Sequence, residues 1–175
     1  YEPIDRGNRL YFAGRREQNP SKPMPSDANS TMRMSYGTIK GYSPADAVEY
    51  DYFTTSRGIL EKNNPESTEF NVFPSFLELI KKGDWGRWAD KKDGKLHVAF
   101  ISTNDITGGN SGSPVFDKNG RVFGLAFDGN WEAMSGDIEF EPNLQRTIVV
   151  DIRYVLFTID KWGKCSRLID EMTIK

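Results

Sequence analysis

Residues Leu96 to Phe127 constrain the fold more than any other stretch. LHVAFIST reads as a buried strand that runs directly into the glycine-rich turn TGGNSGSP. PVFD and RVFGLAF follow, separated by Asp117, Lys118, Asn119 and Gly120, and the Asn-Gly pair is a strong hairpin signal. Strand, glycine turn, strand, hairpin, strand is an antiparallel order. A further strand at Arg146 to Val150 and a helix at Arg153 to Trp162 complete it, with Val155, Leu156, Ile159 and Trp162 sharing one helix face. The expected core is therefore mainly β, an antiparallel barrel closed by a C-terminal helix.

The N-terminal part is patterned differently. Tyr1 to Glu17 sets Leu10, Tyr11 and Phe12 among many charges, which predicts a helix end whose apolar side needs a cover. Pro20, Pro23 and Pro25 then forbid helix over Asn19 to Asp27 and favour an extended linker, so a module boundary is expected there, dividing residues 1–26 from 27–175. From Thr31 to Tyr42, Met32, Met34, Tyr36 and Thr38 alternate with Arg33 and Ser35, and Val48 to Thr55 repeats the period, which predicts a hairpin. In Pro74 to Lys82 (PSFLELIKK), proline at the first helical position, Leu77 and Ile80 one turn apart and Gly83 as stop predict one short helix.

Composition removes several function classes. The 175 residues carry a formal charge of −2 with 27% charged side chains, which leaves no electrostatic footprint for nucleic acid. No apolar run approaches a membrane span. One histidine and one cysteine cannot build a zinc site, the acids lack EF-hand spacing, and no phosphate loop is present, so no metal or cofactor is implied. Cys165 reads as a partly buried small residue near a helix end. Trp85, Trp88 and Trp131 read as core and edge packing.

Gly108 to Pro114 carries the chemistry. A hydroxyl is a useful nucleophile when its turn exposes it and nearby backbone N–H groups can receive the developing oxyanion. Glycines on both sides of Ser111 permit positive φ, and the amides of Gly109 and Ser111 could then converge beside the hydroxyl as an oxyanion hole. An ordinary Gly/Ser turn competes with this reading on the turn alone. An α/β-hydrolase elbow is excluded: it needs glycine two residues after the nucleophile, where Ser113 stands, and a downstream histidine, which is absent.

GNSGSP at Gly109 to Pro114 is similar to the GDSGGP nucleophile motif of chymotrypsin-like peptidases, differing at Asn110 and Ser113. NDITGGNSGSPVF at Asn104 to Phe116, GLAFDGNWEAMSGDIEFEP at Gly124 to Pro142, VDIRYVLFTIDKW at Val150 to Trp162 and DANSTMRMSYG at Asp27 to Gly37 extend the likeness. Together they resemble the bacterial dipeptidyl-peptidase family of chymotrypsin-like serine peptidases, of the dipeptidyl peptidase 7 and 11 type. The resemblance implies the C-terminal six-stranded antiparallel barrel of a double-barrel peptidase, preceded by the end of an inserted helical domain. It implies a periplasmic or secreted bacterial enzyme, with the N-terminal barrel and helical domain as partners of this chain and homodimerisation left open.

That family takes its catalytic histidine and aspartate from the N-terminal barrel, so this chain alone is expected to be inactive. His97, in the strand before the turn, is read as a histidine facing solvent or a polar neighbour and not as a general base. The family's amine-binding aspartate in the FDGN segment maps onto Asp128, and a carboxylate there would accept a charge-assisted contact from a free N-terminus. The next residue is arginine in members cutting after acidic residues and glycine in those cutting after aliphatic or aromatic ones. Gly129 places this chain nearer the dipeptidyl peptidase 7 type. Ile106 and Thr107, just before the turn, are expected to line the same pocket. The expected substrates are peptides with a free N-terminus. A glutamyl-endopeptidase-like protease, which has no need of Asp128, and a catalytically dead protease barrel serving as a binding module are the alternatives.

Overall fold

We obtained a computed structural model of the chain that describes residues 1–21, 32–136 and 138–175. The expected boundary at residues 26/27, most of the proline linker, and Thr31 at the head of the first expected strand lie outside the described residues. The chain divides into two compact units, Tyr1–Met34 and Ser35–Lys175. In the first, α1 (Glu2–Gln18) has proline in its first turn, Glu2 and Asp5 at the N-terminal end and Arg15 and Arg16 at the other, each sign favourable to the helix dipole. Leu10, Tyr11 and Phe12 are all exposed on it.

The second unit follows the order read between Leu96 and Val150. Its strands are β1 (Tyr42–Ala45), β2 (Val48–Tyr50), β3 (Phe53–Thr55), β4 (His97–Ser102), β5 (Pro114–Phe116), β6 (Val122–Gly129) and β7 (Thr147–Asp151), with helices α2 (Ser56–Lys62) and α3 (Pro74–Lys82) between β3 and β4. Five of them form one antiparallel sheet in the order β3-β4-β7-β6-β5, while β1 and β2 pair with each other. No ladder among the described residues joins β5 back to β3. Five strands and a hairpin thus stand where a closed six-stranded barrel was expected.

The edge of β4 explains the difference. Lys40 N–H donates to Ile101 O at 3.3 Å and Thr103 N–H to Thr38 O at 3.0 Å, so residues 38–40 run beside the end of β4. Ile39 makes a single bridge to Ser102 there. The chain then leaves the sheet as the β1–β2 hairpin, turned at Ala47 with φ 59°, and returns where Ile101 N–H donates to Tyr52 O at 2.8 Å. The expected strand at Val48 to Thr55 is split because the Asp51 carboxylate takes the Tyr52 amide at 2.7 Å. Met32, Met34 and Tyr36 are exposed and outside any strand, so the alternation seen in sequence there belongs to no buried face.

Helix α3 has the predicted bounds and stops at Gly83, φ 68°. It buries Phe76 and Ile80, one residue before Leu77 and four apart, against Trp88, Leu96, Leu156, Phe157 and Ile169. Each fully buried apolar side chain of this size contributes about 1.5 to 3 kcal/mol. The expected C-terminal helix begins as α4 (Ile152–Phe157) and widens into a π turn at Thr158–Trp162 before α5 (Ser166–Asp170). Leu156 and Phe157, ahead of the wider turn, enter the core, Ile159 packs against it, and Trp162 is left 38% exposed. Cys165, just ahead of α5, is exposed, contrary to the partly buried position expected. Asp151 ends β7 and caps α4 by accepting the Arg153 amide at 2.9 Å.

Candidate active site

The serine turn is folded on itself by Asn110. Its Oδ1 accepts the Thr107 amide at 3.0 Å, its amide donates to Thr107 O at 3.2 Å, and its carbonyl accepts the Ser113 amide at 2.9 Å. Gly109 at φ 93° and Gly112 at φ 84° flank this loop in backbone that residues with a Cβ rarely adopt. The turn is fastened to β6 by Gly112 N–H to Ala126 O at 2.7 Å and Ala126 N–H to Ser113 O at 2.9 Å. Among the described residues, the amides of Asn110, Gly112 and Ser113 are used in this way while those of Gly109 and Ser111 donate to nothing. Two uncommitted donors beside an exposed hydroxyl can receive an oxyanion.

Ser111 is exposed, and its Oγ donates to Phe127 O at 3.2 Å. The β6–β7 register shifts between Ala126 and Asp128, so Phe127 is the extra residue of a bulge and both Phe127 and Asp128 are exposed. The Asp128 carboxylate bends back to accept its neighbour's amide, Gly129 N–H to Oδ1 at 2.8 Å. Ser111 Oγ thereby rests on the residue of β6 that immediately precedes Asp128. Ile106 lines a small, open-mouthed cavity together with Asp105, Ala133, Phe140, Gln145 and Arg146. Ala133 also faces Gly129, where an added Cβ would lie 2.9 Å from the Ala133 Cβ. Neither Thr107 nor Gly129 lines this cavity directly, and Thr107 serves the turn instead.

His97 stands apart from this constellation. It heads the end of β4 away from the turn, is 7% exposed, stacks on Phe53 with ring centroids 4.1 Å apart, and places Nε2 3.0 Å from Asp93 Oδ2. That contact, with the Lys95 amide, holds the Asp93 carboxyl below the usual carboxylate range. The polar neighbour was expected and the burial was not. Trp88 and Trp85 belong to the core as read, but Trp131 is 83% exposed, because the 3-10 turn Trp131–Ser135 carries it outward.

Sequence reasoning missed the residues that hold the strand end carrying Asp128 and Gly129. Arg146 is buried and spends five donors on carbonyls: Nε on Lys40 O, Nη1 on Pro142 and Gln145 O, Nη2 on Gly41 and Asn143 O, at 2.7 to 3.2 Å. Burial pulls its pKa down, and the Tyr42 ring lies 5.6 Å beneath it. Asn130 is clamped through Oδ1 by the Arg146 amide and through Nδ2 by Leu144 O and Glu132 Oε2, each at 2.8 Å. Tyr42 OH donates to the same Glu132 oxygen at 2.9 Å, and burial raises the Tyr42 pKa. A lone arginine heading the apolar run Thr147 to Val150 was the available signal.

Comparison with known proteins places these residues in context. The family model described as Peptidase S46 matches residues 1–174. Dipeptidyl-peptidase 7 of Porphyromonas gingivalis is 66% identical over 171 residues, covering 98% of this chain and 24% of that protein. The Asp/Glu-specific dipeptidyl-peptidase of the same organism is 49% identical over 173 residues, 99% of this chain and 24% of that protein. The crystal structure of Porphyromonas endodontalis DPP11 in complex with the dipeptide Arg-Glu superposes with a TM-score of 0.87 at 45% identity, covering 97% of this chain and 24% of that one. The chain therefore spans about a quarter of the length of these relatives.

Proposed function

The chain belongs to the peptidase S46 family, and from that membership we propose that it is the serine-bearing part of a longer dipeptidyl peptidase that releases N-terminal dipeptides after aliphatic or aromatic residues. The observation that carries this is the pairing of Ser111 with Asp128 across one bulge, since Ser111 Oγ rests on the carbonyl of Phe127, the residue immediately before Asp128. A nucleophile next to an exposed carboxylate is the arrangement an exopeptidase needs. The α-ammonium of a bound peptide would displace the Gly129 amide as partner of Asp128, exchanging an amide–carboxylate hydrogen bond for an ion pair.

In this reading the Ser111 oxygen attacks the carbonyl carbon of the second substrate residue, and its proton passes to a histidine supplied from outside this chain. The oxyanion is received by the amides of Gly109 and Ser111. Collapse of the tetrahedral adduct breaks the C–N bond, and the histidine returns the proton to the leaving amine. Water then cleaves the acyl-serine ester by the same steps. Asp128 fixes the distance from the free amine to the reacting carbonyl, so that two residues fit. Gly129, Ile106 and the neighbouring turn offer the second residue an apolar surface with no cation available to a carboxylate. The double-barrel architecture and the periplasmic or secreted location belong to the same proposal.

The deciding experiment compares free and N-acetylated peptides of one sequence on the full-length protein. Cleavage of the free peptide, with the acetylated one reduced about a hundredfold or more, is expected for a lost ammonium–carboxylate contact. Equal rates would favour an endopeptidase that makes no use of Asp128, and no cleavage of either would favour a binding module.

A further inference from the structure

The space beside Gly129 is taken by a residue that neither the serine turn nor β6 supplies. A Cβ at position 129 would meet the Ala133 Cβ at 2.9 Å, closer than real Cβ atoms approach, with Arg146 O next at 3.8 Å. The methyl of Ala133 also borders the cavity that Ile106 and Phe140 line. We propose that Ala133 is a specificity-determining residue, a gauge opposite Gly129 whose size sets how large a substrate side chain the pocket admits and whether position 129 can carry a side chain at all. This deepens the proposed function and rests on its reading of Gly129 and Ile106 as the primary pocket.

Three features make Ala133 a wall and not a passive neighbour. Its turn is fastened at both ends, by Ala133 N–H to Asn130 O and Gly136 N–H to Ala133 O, each at 2.9 Å. Asn130 is itself clamped to Arg146 and Leu144, and Glu132 is tied to Tyr42, so the turn is anchored on its Asn130 side. Behind the turn, a Cβ at Gly136 would lie 3.0 Å from Ala133 O and 3.1 Å from Gln145 Oε1, and Gln145 is buried and bonded to Ser135 Oγ and Glu139 O. Volume added at position 133 must therefore be taken from the cavity. The cavity's one bordering cation, Arg146, has five donors committed to carbonyls and cannot turn to a substrate carboxylate without abandoning them. A carboxylate guest finds no available cation there, and the size of any guest is limited by the side chain at position 133.

The test uses the full-length protein with unblocked dipeptidyl substrates ending in Phe or Ala, reading the Phe-to-Ala ratio of kcat/KM and the thermal midpoint. Ala133→Val should lower the ratio about tenfold or more and Ala133→Gly should raise it about threefold, the range over which a methylene is felt in an apolar pocket. Gly129→Ala alone should lower the midpoint, and adding Ala133→Gly should restore most of it. Unchanged ratios in both Ala133 variants of an active enzyme, or no thermal rescue in the double variant, would overturn the inference while leaving Ser111 and Asp128 in their roles. A wild type that cleaves no unblocked substrate overturns the proposed function and this inference with it.

Discussion

Ser111 and Asp128, at one end of the β4–β7 ladder, are held differently from the charged side chains at the other. At the turn end, Ser111 and Asp128 lean only on main chain, the hydroxyl on Phe127 O and the carboxylate on the amide of the next residue. At the other end, side chains lean on side chains: Arg153 reaches Asp151 at 2.6 Å and Asp90 at 2.6 Å across 63 positions, and His97 meets Asp93 at 3.0 Å. Asp90, Asp93 and His97 place ligand atoms within 4.8 Å of one another, close enough to suggest a cation site, yet Arg153 and the ring nitrogen already occupy those carboxylates. Groups whose interactions are spent on each other hold the fold together. Ser111 and Asp128, exposed and each resting on a single backbone contact, are left able to bind something else.

The largest effect should come from the uncommitted end. In the full-length protein, Ser111→Ala should remove about a thousandfold or more of the turnover, because the proposed acyl-enzyme step depends on that hydroxyl. Since Ser111 is exposed and makes one 3.2 Å contact, the thermal midpoint should stay where it is. A variant with near-normal turnover, or one that melts early, would break the comparison at its strongest point.

Asp128→Asn comes next. It should cost about 2 to 4 kcal/mol of transition-state stabilisation for free dipeptidyl substrates, roughly 30- to 1000-fold in kcat/KM, through loss of one charge-assisted pair. The amide can still accept from Gly129 N–H, so stability should again hold. For N-acetylated substrates the variant and wild type should match, and a loss of equal size on both substrate types would mean that Asp128 positions the strand and binds no amine.

Local features were legible before the fold was. Pro74, the apolar spacing and Gly83 bound α3; Asn119-Gly120 bound the β5–β6 hairpin; the glycines around Ser111 bound the turn. What was missed depends on pairs far apart in sequence. Whether a sheet closes is decided by which edge residues 38–40 choose, and alternation along one strand carries no such information. The carbonyls that satisfy Arg146 come from residues 40–41 and 142–145, so its role could not be read from its neighbours. His97 is buried by Phe53, a strand partner, and by Asp93, a loop residue that folds back. Asp128 was singled out through its surrounding motif and not through any local pattern that a turn aspartate before glycine would lack.

The committed end should answer in stability. Arg153→Met removes the partner of both Asp151, which is 5% exposed, and Asp90. Its own side chain is 31% exposed, so the loss should be about 2 to 3 kcal/mol, less than for a fully buried pair. Chemical unfolding measures it, and kcat/KM per folded molecule should be unchanged within about twofold. An Arg153→Met enzyme that is stable but slow would mean that the two ends are coupled through the ladder.

The smallest effect sharpens the same contrast through pH. The Asp90 carboxyl is held down to about 2 from its ordinary 3.8, first by the hydrogen bond from Arg153 and then by the Lys92 amide. A carboxylate with a depressed folded-state pKa contributes stability that is complete above its unfolded value and is lost as the proton returns. That contribution should therefore be intact above about pH 4 and fall away between pH 4 and pH 2. With solvent reaching the pair, it should amount to about 1 to 2 kcal/mol. Midpoints at pH 5, 3 and 2 should drop more steeply for wild type than for Asp90→Asn, whose amide cannot titrate and which begins lower at pH 5. Parallel curves for the two proteins would show that Asp90 and Arg153 contribute nothing to the acid limit, and the locked character of that end would then rest on Asp151 and His97 alone.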